Sequence, residues 1–174
     1  MTHKKQAILD SAQYLIASQG YDATSTRSIA RRAKVSEGLI FRHFENKEGL
    51  MQSLLKRGEV TMEEPILNIE SLTHPKVIMK HLIGLPFNLN EVQRDFLKIY
   101  YPLRFKFKYD QPEFLSRIHD KALAAFKALD YTDPNAEAET FMMILEGAFV
   151  YMLLEKSSQP FILFETLLLK YELS

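Results

Sequence analysis

Apolar residues recur along the chain at helical spacing, and strand-like alternation is scarce. Ile8, Ala12, Leu15, Ile16 and Gln19 fall on one helical face, with Gly20 following as a C′ stop. Tyr21 to Thr24 form a loop, after which Ser25 or Thr26 caps a short helix that runs through Ala33. Lys34-Val35-Ser36 is a turn. Ser36 suits the N-cap of a third helix, and Glu37 suits its first turn, where a carboxylate meets the positive end of the helix dipole. That helix ends near Phe44. Asn46 caps a fourth, with Glu48 near its start and Leu50, Met51, Leu54 and Leu55 turned inward.

Beyond this point prolines mark where helices start or stop: Pro65, Pro75, Pro86, Pro112, Pro134 and Pro160. The pattern predicts helices near 47–63, 75–84, 89–107, 112–129, 134–156 and 159–172. Pro102 breaks the rule. It lies inside the apolar and aromatic run from Phe96 to Tyr109, where a proline is expected to kink or end the helix. No internal repeat, low-complexity segment or long linker is present, and the predicted fold class is all-α.

At 174 residues with 47% hydrophobic positions, the chain is long enough to bury a core without staples. The absence of cysteine removes disulfides and thiol nucleophiles. The N-terminal stretch lacks the apolar block of a signal peptide, and about 18 consecutive apolar residues occur nowhere. A soluble, cytoplasmic protein with no membrane partner is the expectation. The 22 Lys and Arg residues balance the 22 Asp and Glu, but unevenly along the chain. Up to Arg57 there are ten basic residues against five acidic ones, a net of +5, and the remainder carries −5. A basic head on an acidic body points to an anionic partner for the head.

Residues 26–44 say which partner. A helix-turn-helix needs small inward residues on its first helix, so that the second can cross closely, and Ala30 and Ala33 supply them. Val35 plugs the turn. Ile40 and Phe44, four residues apart, pin one face of the second helix. Glu37, Gly38, Leu39, Phe41, Arg42 and His43 then look outward or sideways, as they must if the helix is to lie in the major groove. The run from Thr26 to Leu50, TRSIARRAKVSEGLIFRHFENKEGL, resembles the DNA-binding domain of the TetR family of transcriptional regulators.

The resemblance implies a three-helix helix-turn-helix head over 1–47 and a helical ligand-binding and dimerisation body over 48–174. By position it implies that Thr26 touches a phosphate and that Arg27 reaches a guanine edge or a phosphate. Ser36, Gly38 and Leu39 fall at the start of the recognition helix. There Gly38 lets the backbone approach closely, and Leu39 can meet a thymine methyl. Phe41 and Arg42 belong to the same surface, and His43 and Lys47 match phosphate-holding positions. Two residues depart from the family pattern. Phe41 replaces the usual tyrosine and loses its hydroxyl. Lys34 replaces the usual turn glycine, and must take a left-handed or bridge backbone unless the turn differs.

For the body the expected partner is a second copy. The helix near 134–156 is apolar nearly all round, which suits core on one side and another subunit on the other. The expected interface residues are Phe141, Leu145, Gly147, Ala148, Phe149 and Met152, with Phe161, Phe164 and Leu168 from the last helix, making a homodimer through the last two helices. An effector pocket is the family expectation, with Met62, Met79, Phe87, Phe96, Tyr100, Phe126 and Met143 as apolar lining for a small, lipophilic molecule. His74, His81 and His119 lack clustered ligand spacing, so no metal or other cofactor is expected. Phosphate-loop, His-Glu-x-x-His and Gly-x-Ser-x-Gly motifs are missing. The expected function is therefore a ligand-responsive repressor of a double-stranded, pseudo-palindromic operator, and not an enzyme. The alternative is a helical small-molecule binder or enzyme whose head does not touch DNA.

Overall fold

Several helix ends in this chain are set by caps. The computed structural model describes residues 3–107, 112–154 and 159–173, and among these the regular structure is helical, with no strand. Helix α1, His3–Gln19, ends at Gly20, which has φ 83° and donates its N–H to the Ile16 carbonyl at 2.9 Å. Helix α2, Thr26–Ala33, opens with a reciprocal capping box. The Ser28 N–H donates to the Ser25 hydroxyl at 3.0 Å, and the Ser25 N–H donates to the Ser28 hydroxyl at 3.1 Å. Helix α3 is Glu37–Phe44. Helix α4, Lys47–Glu59, is capped by the Asn46 side chain, which accepts from the Gly49 N–H at 2.8 Å.

The later helices are α5 (Glu63–Glu70), α6 (Pro75–Gly84), α7 (Glu91–Phe107), α8 (Glu113–Ala128), α9 (Pro134–Leu153) and α10 (Pro160–Lys170). The pattern placed no helix between residues 63 and 75, because Pro65 reads as a stop. In the structure Pro65 lies in the first turn of α5, where a backbone N–H has no intrahelical partner to lose. Nor does α7 end at Pro102. It continues to Phe107, with the exposed proline flanked by buried Tyr101 and Leu103.

The chain divides into two compact units. One holds the chain up to Thr61 together with α7 from Asp95 onward; the other holds Met62–Arg94 and everything from α8. The core of the first is Ile8, Leu9 and Ala12 of α1, Ile29 and Ala30 of α2, Ile40 and Phe44 of α3, and Leu50 and Leu54 of α4, all buried. In the same unit α4 and α7 meet at Gly58, where a Cβ would collide with the Phe96 ring.

In the second unit Arg117 of α8 clamps α5. Its guanidinium donates to Glu63 at 2.8 Å and to both carboxylate oxygens of Glu70, each at 2.8 Å. This bidentate pairing holds the Glu70 carboxyl below its usual range. Phe126, Phe141, Leu145 and Phe149 form the core beside it. That placement corrects the expected subunit face. Phe141, Leu145, Phe149, Met152 and Leu168 are buried within the single chain, because the helical period turns them one way and Gly147, Val150 and Tyr151 the other. Ala148 and Phe164 are half-buried, and Phe161 is exposed. Met143 is 77% exposed and so does not line an interior pocket. The remaining pocket candidates are split, with Phe96 and Tyr100 in the first unit and Met62, Met79, Phe87 and Phe126 in the second.

Candidate nucleic-acid interface

The crossing of α2 and α3 depends on the turn between them. Lys34 takes the left-handed conformation, φ 54° and ψ 45°, one of the alternatives open to a lysine at this turn. Its N–H donates to the Arg31 carbonyl at 3.3 Å, and the Val35 N–H donates to the Ala30 carbonyl at 3.0 Å. Those are the two bonds of a Schellman ending, built here on a lysine at a strain of about 1 kcal/mol. Val35 then sits half-buried as the plug.

The far end of α3 is tighter still. Glu45 has φ 67° and ψ −48°, and the Asn46 N–H donates to the Phe44 carbonyl at 2.7 Å. This is a γ-turn of the rare, strained positive-φ kind. It brings the start of α4 so close that a Cβ on Gly49 would collide with the Phe44 carbonyl oxygen. The orientation of α3 is thus fixed at both ends by backbone conformations that ordinary side chains resist.

On the outer surface Ser36, Gly38, Leu39 and Arg42 surround one depression, joined by Val35, Lys34 and Lys4. Four of the residues expected at DNA therefore share one cationic concavity. Lys4 was not among the expected residues. It lies in the first turn of α1, and only the packing of α1 brings it to the start of α3. Ser36 stands at the N-cap of α3, but its hydroxyl makes no capping bond. Arg27 is exposed at the start of α2, Phe41 is 45% exposed, and His43 is half-buried with its ring centre 6.1 Å from that of Phe44.

Two expected phosphate contacts are engaged inside the protein. The Thr26 hydroxyl donates to the Glu37 carboxylate at 2.6 Å. The Lys47 ammonium donates to the Tyr21 carbonyl at 2.6 Å and stands 3.9 Å from the centre of the Tyr21 ring. Burial pulls its pKa down. Among the neighbouring cations, Arg32 stacks over the Tyr14 ring at 3.4 Å, and so packs against α1.

Comparison with known proteins agrees with this geometry. The family described as "Bacterial regulatory proteins, tetR family" matches residues 8–54, from α1 into α4. Over 170 residues the chain is 32% identical to the uncharacterized HTH-type transcriptional regulator YvkB of Bacillus subtilis, covering 88% of this chain and 85% of that protein. The chain belongs to the TetR family. It is a DNA-binding transcriptional regulator with α2 and α3 as its helix-turn-helix.

Other relatives match this regulator over shorter stretches. The HTH-type transcriptional repressor Rv3405c of Mycobacterium tuberculosis is 51% identical over 49 residues, 28% of this chain and 26% of its own length. The whole TetR-family fold is shared with more distant proteins. NalD, described as the secondary repressor of the MexAB-OprM multidrug efflux pump in Pseudomonas aeruginosa, superposes with a TM-score of 0.67 at 20% identity, over 95% of this chain and 91% of its own. A transcriptional regulator from Aquifex aeolicus gives a TM-score of 0.67 at 17% identity over 98% of each chain. Among the described residues, no helix is long and apolar enough to cross a membrane.

Proposed function

We propose that this regulator is a cytoplasmic repressor that binds a pseudo-palindromic operator as a homodimer and leaves it when a small apolar effector occupies the body. The observation that carries the DNA-binding surface is the cationic depression at the start of α3, where Lys4, Lys34 and Arg42 surround Ser36, Gly38 and Leu39. Lysine and arginine there attract phosphates, while the small and apolar residues approach base edges. The recognition surface comprises Arg27, Ser36, Gly38, Leu39, Phe41, Arg42 and His43. Lys47 keeps further ammonium protons beyond the one given to Tyr21, and these serve a phosphate.

Support for a dimer lies on the outer faces of α9 and α10. Val150, Tyr151, Phe161, Ile162, Leu163 and Leu169 are all exposed, and Gly147 has open space around it, so a second backbone can come close. An apolar surface of this kind on two helices suits an isologous four-helix contact. For the effector, the second unit offers buried Met62, Met79 and Phe126. Tyr171, packed near the Phe126 and Phe141 rings, carries a buried hydroxyl with no hydrogen-bond partner among the described residues. That hydroxyl suits the single polar end of an otherwise apolar molecule. By linkage, an effector that weakens DNA binding is itself weakened by DNA to the same extent.

The test is retention of genomic fragments by the full chain. Recovered fragments should share an inverted repeat, and affinity should fall steeply with salt. Retention of no DNA at low salt would overturn this reading in favour of a small-molecule binder or enzyme.

A further inference from the structure

Thr26 is the first residue of α2 and Glu37 the first of α3, and their side chains are joined by a 2.6 Å hydrogen bond across 11 residues. A helix-turn-helix presents both of these helix starts to DNA. The hydroxyl has one proton, and Glu37 takes it. The bond therefore immobilises a carboxylate beside the α3 start, where every phosphate would repel it. We propose that Glu37 reads cytosine: held by Thr26, its carboxylate accepts a hydrogen bond from the exocyclic amino group of one cytosine in each half-site. This rests on the reading of α3 as the recognition helix.

The choice of base follows from groove chemistry. A carboxylate only accepts, and the bond from Thr26 leaves its second oxygen unused. In the major groove guanine presents two acceptors and thymine presents an acceptor and a methyl group, so both leave the carboxylate unpaired or repelled. Adenine offers an amino group, but its N7 acceptor lies beside it and opposes the second oxygen. Cytosine offers the amino donor without that neighbour. Fixing the rotamer through Thr26 lowers the ordering cost of a long side chain at the moment of binding. Phosphate attraction is left to the cations nearby: Arg27 follows Thr26 in sequence, and Lys34 and Arg42 line the adjoining depression. Glu37 thus subtracts from general affinity while adding discrimination.

The experiment is selection from a randomised duplex library with the full chain, comparing wild type, Glu37→Gln and Thr26→Val. Wild type should enrich an inverted repeat with cytosine fixed at one position of each half-site. Glu37→Gln should move that position toward adenine, which an amide matches through N6 and N7, changing the preference on the order of ten-fold. Thr26→Val should blur the same position alone and leave the salt dependence unchanged. An unchanged consensus in Glu37→Gln, with or without a uniform rise in affinity for all sequences, would overturn cytosine reading while leaving the regulator intact. A wild type that enriches nothing would overturn both readings.

Discussion

Lys47 is stacked on Tyr21, with its ammonium 3.9 Å from the ring centre and bonded to the same residue's carbonyl. One side chain thereby ties the start of α4 to the loop between α1 and α2. Lys106 of α7 adds to the cluster through Asp22, and the Tyr21 and Phe107 rings meet edge to face at 4.9 Å. Lys47→Met should lower the unfolding free energy by about 1 kcal/mol, from the lost cation–π contact and charged hydrogen bond. It should also reduce the slope of log affinity against log salt by about one. Denaturant unfolding and salt-dependent binding read the two effects separately, and a stability loss with an unchanged slope would make Lys47 a strut only.

Lys34→Gly tests the strained turn. Relief of the left-handed lysine should raise stability by about 0.5–1 kcal/mol. Loss of a cation from the depression should at the same time weaken binding to all sequences alike. A variant that gains stability and binds as before would remove Lys34 from the DNA surface.

Gly58→Ala should destabilise the first unit by about 1–3 kcal/mol, since the new methyl meets the Phe96 ring. Combining it with Phe96→Leu should recover part of that loss. Simple additivity of the two substitutions in a double-mutant cycle would count against direct contact.

Acid stability should depend on Glu70. Its carboxyl is held below the ordinary glutamate range, chiefly by the hydrogen bond from Arg117. The resulting stabilisation is complete above the unfolded pKa and is lost as pH falls through the folded one. Glu70→Gln should therefore show a shallower loss of stability below about pH 5 than wild type, measured as urea midpoint against pH. Parallel curves would show that the clamp contributes nothing.

Gly147→Glu tests the proposed homodimer. Glutamate is a better helix former than glycine, and Gly147 has open space around it, so the subunit should fold at least as well. A charge on that face should nevertheless shift the protein to monomer in sedimentation experiments and weaken operator binding. An unchanged sedimentation coefficient would overturn the proposal that this face carries a subunit contact.

The head was legible in the sequence because its information is local. The Ser25 and Asn46 caps, the Gly20 stop and the buried Ile40 and Phe44 follow from spacing and side-chain chemistry within a few residues. For Lys34, standing where the family usually has glycine, the sequence left a left-handed backbone, a bridge backbone or a different turn open, and the structure takes the left-handed one. The strained Glu45 turn had no such signal, since glutamate is not a residue that marks positive φ. In the body, helical periodicity marked apolar positions without saying which neighbour covers them. Phe141 and Phe149 thus fell to the subunit's own core, and Met143 to its surface.

The sequence by itself determined an all-helical chain, the helix-turn-helix and the charge of its head, because capping, turn chemistry and 3.6-residue periodicity act over short distances. Only the tertiary structure decided which partners the polar groups take. Lys4 is brought to the start of α3, Thr26 to Glu37, Lys47 to Tyr21 and Arg117 to α5. These pairings depend on how helices cross, and a long charged side chain has many partners within reach until packing selects one.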